Sequence, residues 1–321
     1  MTTMVKQSLS LAPLPVCDRL AGLRAVVLLG GTVRPGRLSA AIGRPIFALP
    51  LDARRSILDY WRQQTAALGR SIARPDLPVR VMVDRNSPET KLAPAATAGV
   101  ELAPFQLERD PQDYRGTGGV LRDLAGSYEK DDLLLVANTA QVLVRSLSGC
   151  AIAMAERASE GAEVVVADHE DGTPSGLMLV RCSVLSLISE TGFVDMKEQA
   201  LPMIARSHRV GVAHFPEPTG LPIRSLAQYV QALRWHALQD AGKSVQADPF
   251  AENLEHVFNI VEHGATVDAN ARLHDSVVLA GGVVEAGATL VQSVVCPGGR
   301  VRRGDVVVDR VVAAGRRRND E

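Results

Sequence analysis

The feature that most constrains the fold is a 17-residue internal repeat near the end of the sequence. The segment DSVVLAGGVVEAGATLV, residues 275–291, aligns without a gap with QSVVCPGGRVRRGDVVV, residues 292–308, and eight positions are identical. An aliphatic residue also recurs about every sixth position, which with intervening small residues is typical of a parallel β-helix with three short strands per coil. We predict this domain over residues 246–315, with a frayed tail at 316–321. The aliphatic ladder comprises Val261, Val267, Leu273, Val278, Val284, Leu290, Val295, Val301, Val307 and Val312.

The preceding part of the chain alternates short apolar runs with amphipathic segments. Strand followed by helix, repeated, predicts an α/β domain with a largely parallel sheet, and strands that are apolar on both faces suit a covered sheet. We assign this domain to residues 23–245, after an N-terminal extension at 1–22. The predicted strands are AVVLL (25–29), VRVMVD (79–84), DLLLVAN (132–138), AEVVVAD (162–168) and GLMLVRC (176–182), and the predicted helices lie within 56–69, 118–129 and 142–161.

Charge and cysteine content exclude several classes of protein. The chain has 35 Lys+Arg against 36 Asp+Glu, which argues against a protein that binds nucleic acid through its phosphates. Its four cysteines form no CxxC pair, so neither a zinc site nor a disulfide framework is indicated. Without a signal peptide or a run long enough to span a bilayer, we expect a soluble cytoplasmic protein with no membrane partner.

The segment LLGGTVRPGR, residues 28–37, follows the first predicted strand. Glycines allow backbone N–H groups to approach phosphate oxygens closely, and arginine supplies charge, so Leu29, Gly30, Gly31, Thr32 and Arg34 are candidate ligand-binding residues. Residues 19–55 also contain seven arginines against one aspartate, Asp52. This stretch is either a cationic patch for an anion or a solvated face, and the sequence leaves both open.

A second glycine-rich step, YRGTGGVLRDL, occupies residues 114–124 at the start of a predicted helix. Gly116, Thr117, Gly118 and Gly119 could hold an anion or let a flat base lie on the backbone. A flexible helix N-terminus explains the same residues equally well.

The order of these motifs resembles the sugar-1-phosphate nucleotidyltransferases, or NDP-sugar pyrophosphorylases. LLGGTVRPGRL stands where that family has GGxGTRLxPLT, RGTGGVL where it has GTAGAL, and LPIRSLAQYVQAL, residues 221–233, where it has DIGTPEDYLxA. The resemblance covers about residues 23–312. It implies a Rossmann-like nucleotidyltransferase domain followed by a left-handed parallel β-helix of hexapeptide repeats.

That family joins a sugar-1-phosphate to the α-phosphate of a nucleoside triphosphate, using a loop Arg, a Lys and Mg²⁺ held by two Asp residues. By resemblance, Arg34 takes the place of the loop Arg and Arg44 that of the Lys. Asn138 and Thr139 stand where the first metal-binding Asp is expected.

Around the second metal position, Pro222 and Arg224 stand in the place of the DIG motif. The resemblance makes Asn138, Ser175, Gly176 and Arg224 candidate substrate-binding residues, and we assign no metal ligand. The prediction is therefore a catalytically degenerate homologue. It binds a nucleotide, a sugar phosphate or an NDP-sugar as a sensor, as a regulator, or as the partner subunit of an active relative.

Two alternatives stay open. An active pyrophosphorylase would need Mg²⁺ and shifted ligands, for which Asp84, Asp168, Asp171 and Asp195 are candidates. A scaffold would use the β-helix for oligomerisation and have an empty pocket. The aliphatic coil edges favour a homo-oligomer or a hetero-oligomer under all three hypotheses.

Other conspicuous residues receive structural interpretations. Asp195 and Glu198 precede or open a helix and are expected to cap it. His214 is expected on a packed or edge strand, and Trp61 and Trp235 are expected to pack from amphipathic helices.

Overall fold

The computed structural model describes residues 19–30, 37–85, 87, 100–110, 112, 115–241 and 257–314. Gly31, Thr32 and Arg34 lie outside these ranges, as do most of the N-terminal extension and the predicted tail. The strands of the first domain are β1 (Leu23–Leu29), β2 (Val79–Val83), β3 (Phe105–Arg109), β4 (Leu133–Asn138), β5 (Gln141–Leu143), β6 (Val164–His169), β7 (Pro174–Arg181), β8 (Val210–Phe215) and β9 (Gly220–Pro222). Its helices are α1 (Arg37–Ile42), α2 (Ile57–Ser71), α3 (Gly116–Ala125), α4 (Leu147–Ser159), α5 (Cys182–Leu185), α6 (Leu201–Ile204) and α7 (Leu226–Asp240), with a 3₁₀ turn at Ile46–Ala48 and a π-helix at Met196–Ala200.

The first domain is built on a mostly parallel seven-stranded sheet with the order β3-β2-β1-β4-β7-β6-β8. Only β7 runs antiparallel to its neighbours. Along β1, Val26 and Leu28 belong to the hydrophobic core on one face, whereas Ala25 and Val27 belong to the core on the other. Because helices cover both faces, the central strands read as continuous apolar runs.

The five predicted strands are all observed, and two local predictions need correction. The predicted helix at 142–161 begins only at Leu147, where the Ser146 hydroxyl accepts a hydrogen bond from Gly149 N and acts as the N-cap. Residues 141–143 instead form β5, which pairs antiparallel with β9. The edge strand β3 was not predicted because its sequence, FQLER, is largely exposed and polar.

The C-terminal residues form three parallel sheets that fit a β-helix. Register pairs join residues seventeen apart, for example Val277 with Val294 and Val284 with Val301. The sheets have the orders β10-β13-β16-β19, β11-β14-β17 and β12-β15-β18. Their strands are β10 (Asn259–Val261), β11 (Thr266–Val267), β12 (Arg272–His274), β13 (Ser276–Val278), β14 (Val283–Val284), β15 (Thr289–Val291), β16 (Val294–Val295), β17 (Arg300–Val301), β18 (Val306–Val308) and β19 (Val311–Val312).

The interior of the coils is filled by most of the predicted ladder. Val278, Val284, Leu290, Val295 and Val301 form one buried cluster, and burial of each such side chain contributes about 1.5–3 kcal/mol. Val261 is the exception because 42% of it is exposed. It lies on β10, the first strand of its sheet, so β13 covers it from one side only.

The central strands of the sheet β10-β13-β16-β19, β13 and β16, are buried on both faces, which explains the Val-Val pairs in the repeat. In β13, Val278 points into the coil interior and the preceding Val277 belongs to the core of the α/β domain. Ile260 and Val294 occupy the equivalent outward positions and join the same core. The α/β part of the chain and the C-terminal coils therefore share one continuous hydrophobic core.

A buried ion pair reinforces this contact. Arg234 of α7 donates to the carboxylate of Asp275, which is fully buried at a coil corner. The same carboxylate accepts backbone N–H groups of Val257 at 2.9 Å and Phe258 at 3.1 Å. Asp275 has φ +48°, and its repeat equivalents Gln292 and Asp309 share this left-handed conformation.

No helix of the described ranges is long and apolar enough to cross a membrane.

We expect Asp275→Asn to lower the free energy of unfolding by about 3 kcal/mol, because it removes the charge of a fully buried carboxylate that the Arg234 guanidinium contacts. Urea denaturation measures the change. Asp309→Asn is the matched control, since Asp309 has the same corner conformation but is exposed. Equal effects of the two substitutions would show that the interdomain ion pair is not stabilising.

Candidate functional site

The candidate site lies at the carboxyl edge of the sheet, between β1 and β4. The chain proceeds from β1 to β2 and β3 on one side and then returns to place β4 on the other side of β1. The strand order thus reverses between β1 and β4, which is where open α/β sheets bind ligands. Leu29 pairs with Asn138 at this point, so the predicted glycine segment and the predicted substrate residue are neighbours.

Gly30 occupies a position that admits no larger residue without displacement of its neighbours. Its N–H donates to the carbonyl of Met82 at 2.8 Å. A Cβ at this position would lie 3.1 Å from that carbonyl oxygen and 3.1 Å from the Phe47 ring. Close packing at the end of β1 therefore favours glycine here, whether or not a phosphate binds beyond it.

Three predicted substrate residues converge beside β4. A Cβ at Gly176 would be 3.6 Å from the Cβ of Asn138, and Ser175 is buried next to it at the start of β7. Asn138 is exposed, and its Oδ1 accepts the N–H of Ala140 at 2.9 Å. The fourth residue, Arg224, follows β9 and is exposed, with its backbone N–H bonded to Gln228 Oε1.

The second glycine-rich step is held by the loop before the π-helix. Gly118 N donates to the Val194 carbonyl at 2.8 Å, and Gly119 N points to the same oxygen at 3.4 Å. Gly116 has φ +70°, and a Cβ there would be 2.5 Å from the Val194 carbonyl oxygen. These contacts account for the glycines through packing, so phosphate binding by these N–H groups stays a prediction that would have to displace Val194.

Thr117 and Asp195 complete this contact. The Thr117 hydroxyl accepts the N–H of Met196 at 2.9 Å, and Asp195 accepts the N–H groups of Lys197 and Glu198 at 2.8 and 2.9 Å. The predicted capping role of Asp195 is confirmed. Both side chains fix the π-helix against the start of α3.

A buried arginine lies beneath the glycines. Only 1% of Arg115 is exposed, and its guanidinium binds both carboxylate oxygens of Asp123 at 2.9 and 3.0 Å. It also donates to the carbonyls of Ser189 and Gly192. A Cβ at Gly119 would be 2.9 Å from Arg115 Cζ, so a larger residue there would displace the guanidinium. Sequence reasoning missed Arg115, since a buried arginine has no local signature.

Arg44, predicted as a catalytic cation, is engaged with the β-helix. Its Nη1 lies 2.6 Å from Glu262 Oε1, and Glu262 Oε2 accepts the N–H of Ala280. This interdomain ion pair accounts for Arg44 without catalysis, and the catalytic role stays a prediction. Three more described arginines of the basic stretch form ion pairs. Arg19 pairs with Glu156, Arg24 pairs with Asp132, and Arg55 pairs with Asp52 and Asp240.

The aspartates named as alternative metal ligands have separate partners. Asp168 lies 2.6 Å from Nδ1 of His214, which is exposed on the edge strand β8 as predicted. Asp171 accepts from the N–H and hydroxyl of Thr173. Asp84 follows β2 at the carboxyl edge. None of them belongs to a group close enough to share a metal ion within the described residues.

Asp110 is a carboxylate at the same edge that sequence reasoning missed, because it follows the unpredicted strand β3. Burial raises its pKa, and the nearby charges of Asp123 and Asp84 act in the same direction, while Gln112 N and Arg115 oppose them. The carboxyl group of Asp110 therefore loses its proton at a higher pH than an ordinary aspartate does.

The described residues contain one convergent group that could hold a metal ion: Asp52, His236 and Asp240. The guanidinium of Arg55 already lies among them, with Nε 2.7 Å from Asp52 Oδ2 and Nη2 2.8 Å from Asp240 Oδ2. The same Nη2 is 3.0 Å from His236 Nε2. Arg55 supplies the positive charge here, so the cluster is interpreted as a structural contact that holds α7 against the turn before α2.

The contacts in this cluster lower the pKa of Asp52. Burial disfavours its charged form, but hydrogen bonds from His236, the Arg54 backbone N–H and Arg55 outweigh burial and hold the pKa of Asp52 well below its ordinary value. A carboxyl group whose pKa is lowered by folding stabilises the protein above its unfolded pKa, and this contribution is lost as the pH falls toward the folded value.

We expect Gly116→Ala to lower the free energy of unfolding by about 3 kcal/mol or more, because it combines a left-handed backbone with overlap against the Val194 carbonyl. Gly172→Ala is the control. Gly172 has φ +76° but nothing lies within 4 Å of the position its Cβ would take, so only about 1 kcal/mol is expected. Urea unfolding of both variants isolates the steric component, and equal losses would contradict this packing of Gly116.

We expect Asp52→Asn to lower stability at pH 7 by about 2 kcal/mol and to flatten the loss of stability between about pH 5 and pH 2. Chemical denaturation at several pH values measures the slope. Asp131→Asn, at a carboxylate that is 96% exposed, is the control and should leave the curve nearly unchanged. Parallel curves for Asp52→Asn and the parent protein would contradict this assignment.

Comparison with known proteins assigns no family. No family model matches the chain, and no curated protein matches it. Among solved structures, it is similar to the crystal structure of a Mycobacterium tuberculosis rv0371c homolog from Mycobacterium sp. strain JC1, with a TM-score of 0.43 and 15% sequence identity over 67% of this chain and 97% of that chain. Because the identity and the TM-score are this low, the function is inferred from the chain's own residues.

Proposed function

We propose that this protein binds an NDP-sugar, or its nucleotide or sugar-phosphate part, in a sensing, regulatory or partner-subunit role without metal-dependent catalysis. One observation carries the proposal. Gly30 follows β1 and Asn138 ends the adjacent parallel strand β4, at the point where the strand order reverses. Asn138 and Thr139, which stand where the resembled family has its first metal-binding Asp, are both uncharged.

The shape of the strand ends supports ligand binding. Parallel strands and their following helices direct backbone N–H groups toward the carboxyl edge of the sheet, where anions are favoured. Asn138 is exposed at this edge, and Ser175 and Gly176 lie beside it. Among the described residues, this is the part of the edge where the sequence-predicted ligand residues meet.

The residues at the position of the resembled family's first metal ligand do not fit Mg²⁺. The ion prefers near-octahedral oxygen coordination that includes one or two carboxylates. Thr139, at the expected aspartate position, is buried and donates its hydroxyl to the Leu29 carbonyl at 3.1 Å. Asp168 and Asp171 are engaged with other groups. A phosphoryl-transfer reaction without this charge neutralisation would be slower by orders of magnitude, which favours binding over turnover.

Thermal-shift measurements with nucleoside triphosphates, nucleoside diphosphates, hexose-1-phosphates and NDP-hexoses test the proposal. A ligand that binds only the folded state must raise its stability, so at least one class should raise Tm by several degrees. Pyrophosphate release in the presence of Mg²⁺ is measured in parallel and should stay at background. Turnover abolished by EDTA would instead establish an active pyrophosphorylase, and no stabilisation by any compound would favour the scaffold.

We expect Asn138→Asp to weaken binding of a phosphate-bearing ligand about fivefold or more at low salt and in EDTA, because it adds a negative charge at the strand end. The new side chain keeps an oxygen that can accept from Ala140 N. Gln106→Glu adds the same charge at an exposed position in β3 and serves as the control. Calorimetric titration with the ligand found in the thermal-shift panel measures both, and unchanged affinity in Asn138→Asp would place the ligand elsewhere.

A further inference from the structure

The two edges of the seven-stranded sheet differ in how well they are protected against pairing with another chain. At one edge lies β3, whose sequence FQLER carries the charged residues Glu108 and Arg109. At the other edge lies β8, whose sequence VGVAHF contains no proline, lysine, arginine or carboxylate. Charged residues and prolines are the usual means by which edge strands avoid unwanted partners. The β8 edge has neither.

The backbone of β8 is paired on one side only. Its residues from Val210 to Phe215 are all in register with β6, which is its only neighbour among the described strands. In a strand paired on one side, the N–H and C=O groups of alternate residues point away from the sheet. Val210, Gly211 and Val212 are only half-buried. The free side of β8 is therefore a template for a further strand.

The one ionisable side chain of β8 contacts the adjacent strand. His214 Nδ1 lies 2.6 Å from Asp168 Oδ1 on β6. The other five residues of β8 are apolar. A charged side chain that would repel a second strand is therefore missing from β8.

Basic residues precede β8. Arg206 and Arg209 are exposed, and the Arg206 side chain has no hydrogen bond or ion pair among the described residues. Arg209 donates to the backbone carbonyl of Glu160. The acidic side chains nearby already form ion pairs, which are Glu160 with Arg157 and Glu163 with His208. The start of β8 therefore has an excess of positive charge.

Acidic residues lie at the other end of β8. Glu217 is exposed two positions after the strand, and its side chain has no partner in the part of the chain that the structure describes. Glu170 and Asp171 follow the parallel neighbour β6 at the same edge of the sheet. Arg145, whose guanidinium carbon lies 5.5 Å from the centre of the Phe215 ring, offsets only part of this charge. The end of β8 therefore has an excess of negative charge.

Opposite charges at the two ends make this edge complementary to a copy of itself. A two-fold axis places two β8 strands antiparallel, so the start of each strand faces the end of the other. With Ala213 on the axis, Arg209 lies opposite Glu217 of the second copy. A parallel arrangement of the two strands would instead bring like charges together, and parallel pairing is also slightly less stable per residue.

We propose that two copies of this chain associate through β8, which joins their seven-stranded sheets into one continuous sheet across a two-fold axis. Helix α4 packs on β6 and β8, so the two copies of α4 border the joint on one face of the sheet. The association does not use the β-helix, one of whose sheets already packs on the α/β part of the same chain.

The oligomeric state of the full-length protein tests the proposal. Light scattering coupled to size-exclusion chromatography, across the micromolar range, should give the parent a mass twice the 34.3 kDa of one chain. Val212→Lys places a charge within β8 and should give a monomer. Leu107→Lys is the matched control, because it places the same charge at the β3 edge, where 37% of Leu107 is exposed, and should leave the dimer intact. Far-UV circular dichroism checks that each variant is folded.

A charge exchange tests the antiparallel register without altering β8 itself. Glu217→Arg and Arg209→Glu each place like charges opposite one another, so each should weaken the dimer about fivefold or more at low salt. The double variant restores opposite charges and should recover the dissociation constant of the parent. Sedimentation equilibrium measures these constants. Residues that only stabilise the single chain would not show this recovery.

Several results would overturn the proposal. A monomeric parent is one, and a dimer that survives Val212→Lys is another. Val306, which is 70% exposed in the last coil, provides the competing surface. If Val306→Lys gives a monomer and Val212→Lys does not, the coils form the interface instead. If Val212→Lys unfolds the chain, the charge exchange decides, and a double variant no tighter than the single variants would contradict pairing through β8.

Discussion

The burial of one β-helix sheet on both of its faces is the contact on which the rest of the structure depends. Val278 fills the coil interior while its neighbour Val277 completes the core of the α/β domain. A β-helix usually presents its outer faces to solvent or to other subunits, whereas here one outer face is an intramolecular interface. The Arg234–Asp275 and Arg44–Glu262 ion pairs border this interface and fix its register.

This interface also reaches the candidate ligand site. Leu38 and Ile42 of α1 belong to the shared core, and Cys296 of the β-helix contacts the Ala41 carbonyl at 3.9 Å. Helix α1 directly follows the predicted phosphate segment. The β-helix therefore supports the helix that leads away from the glycine segment, and a change in the coils has a direct packing route to the ligand site.

Much of the fold could be predicted from local patterns, and much of the site could not. The repeat and the apolar runs are periodic, so they predicted the coils and the five main strands. Gly116 and Gly118 illustrate the limit: their sequence suggested a phosphate loop, but the Val194 carbonyl that they contact is more than seventy residues away in the sequence.

The shared core can be completed only after the coils have been synthesised. Val277 and Val294 close a hydrophobic surface that includes residues of α1 and α7, yet they are synthesised after all of the helices and strands of the α/β part. A nascent chain that has completed the α/β domain but not the coils would expose this surface to water and to chaperones. Premature termination near residue 270 would consequently yield an aggregation-prone fragment and not a smaller working protein.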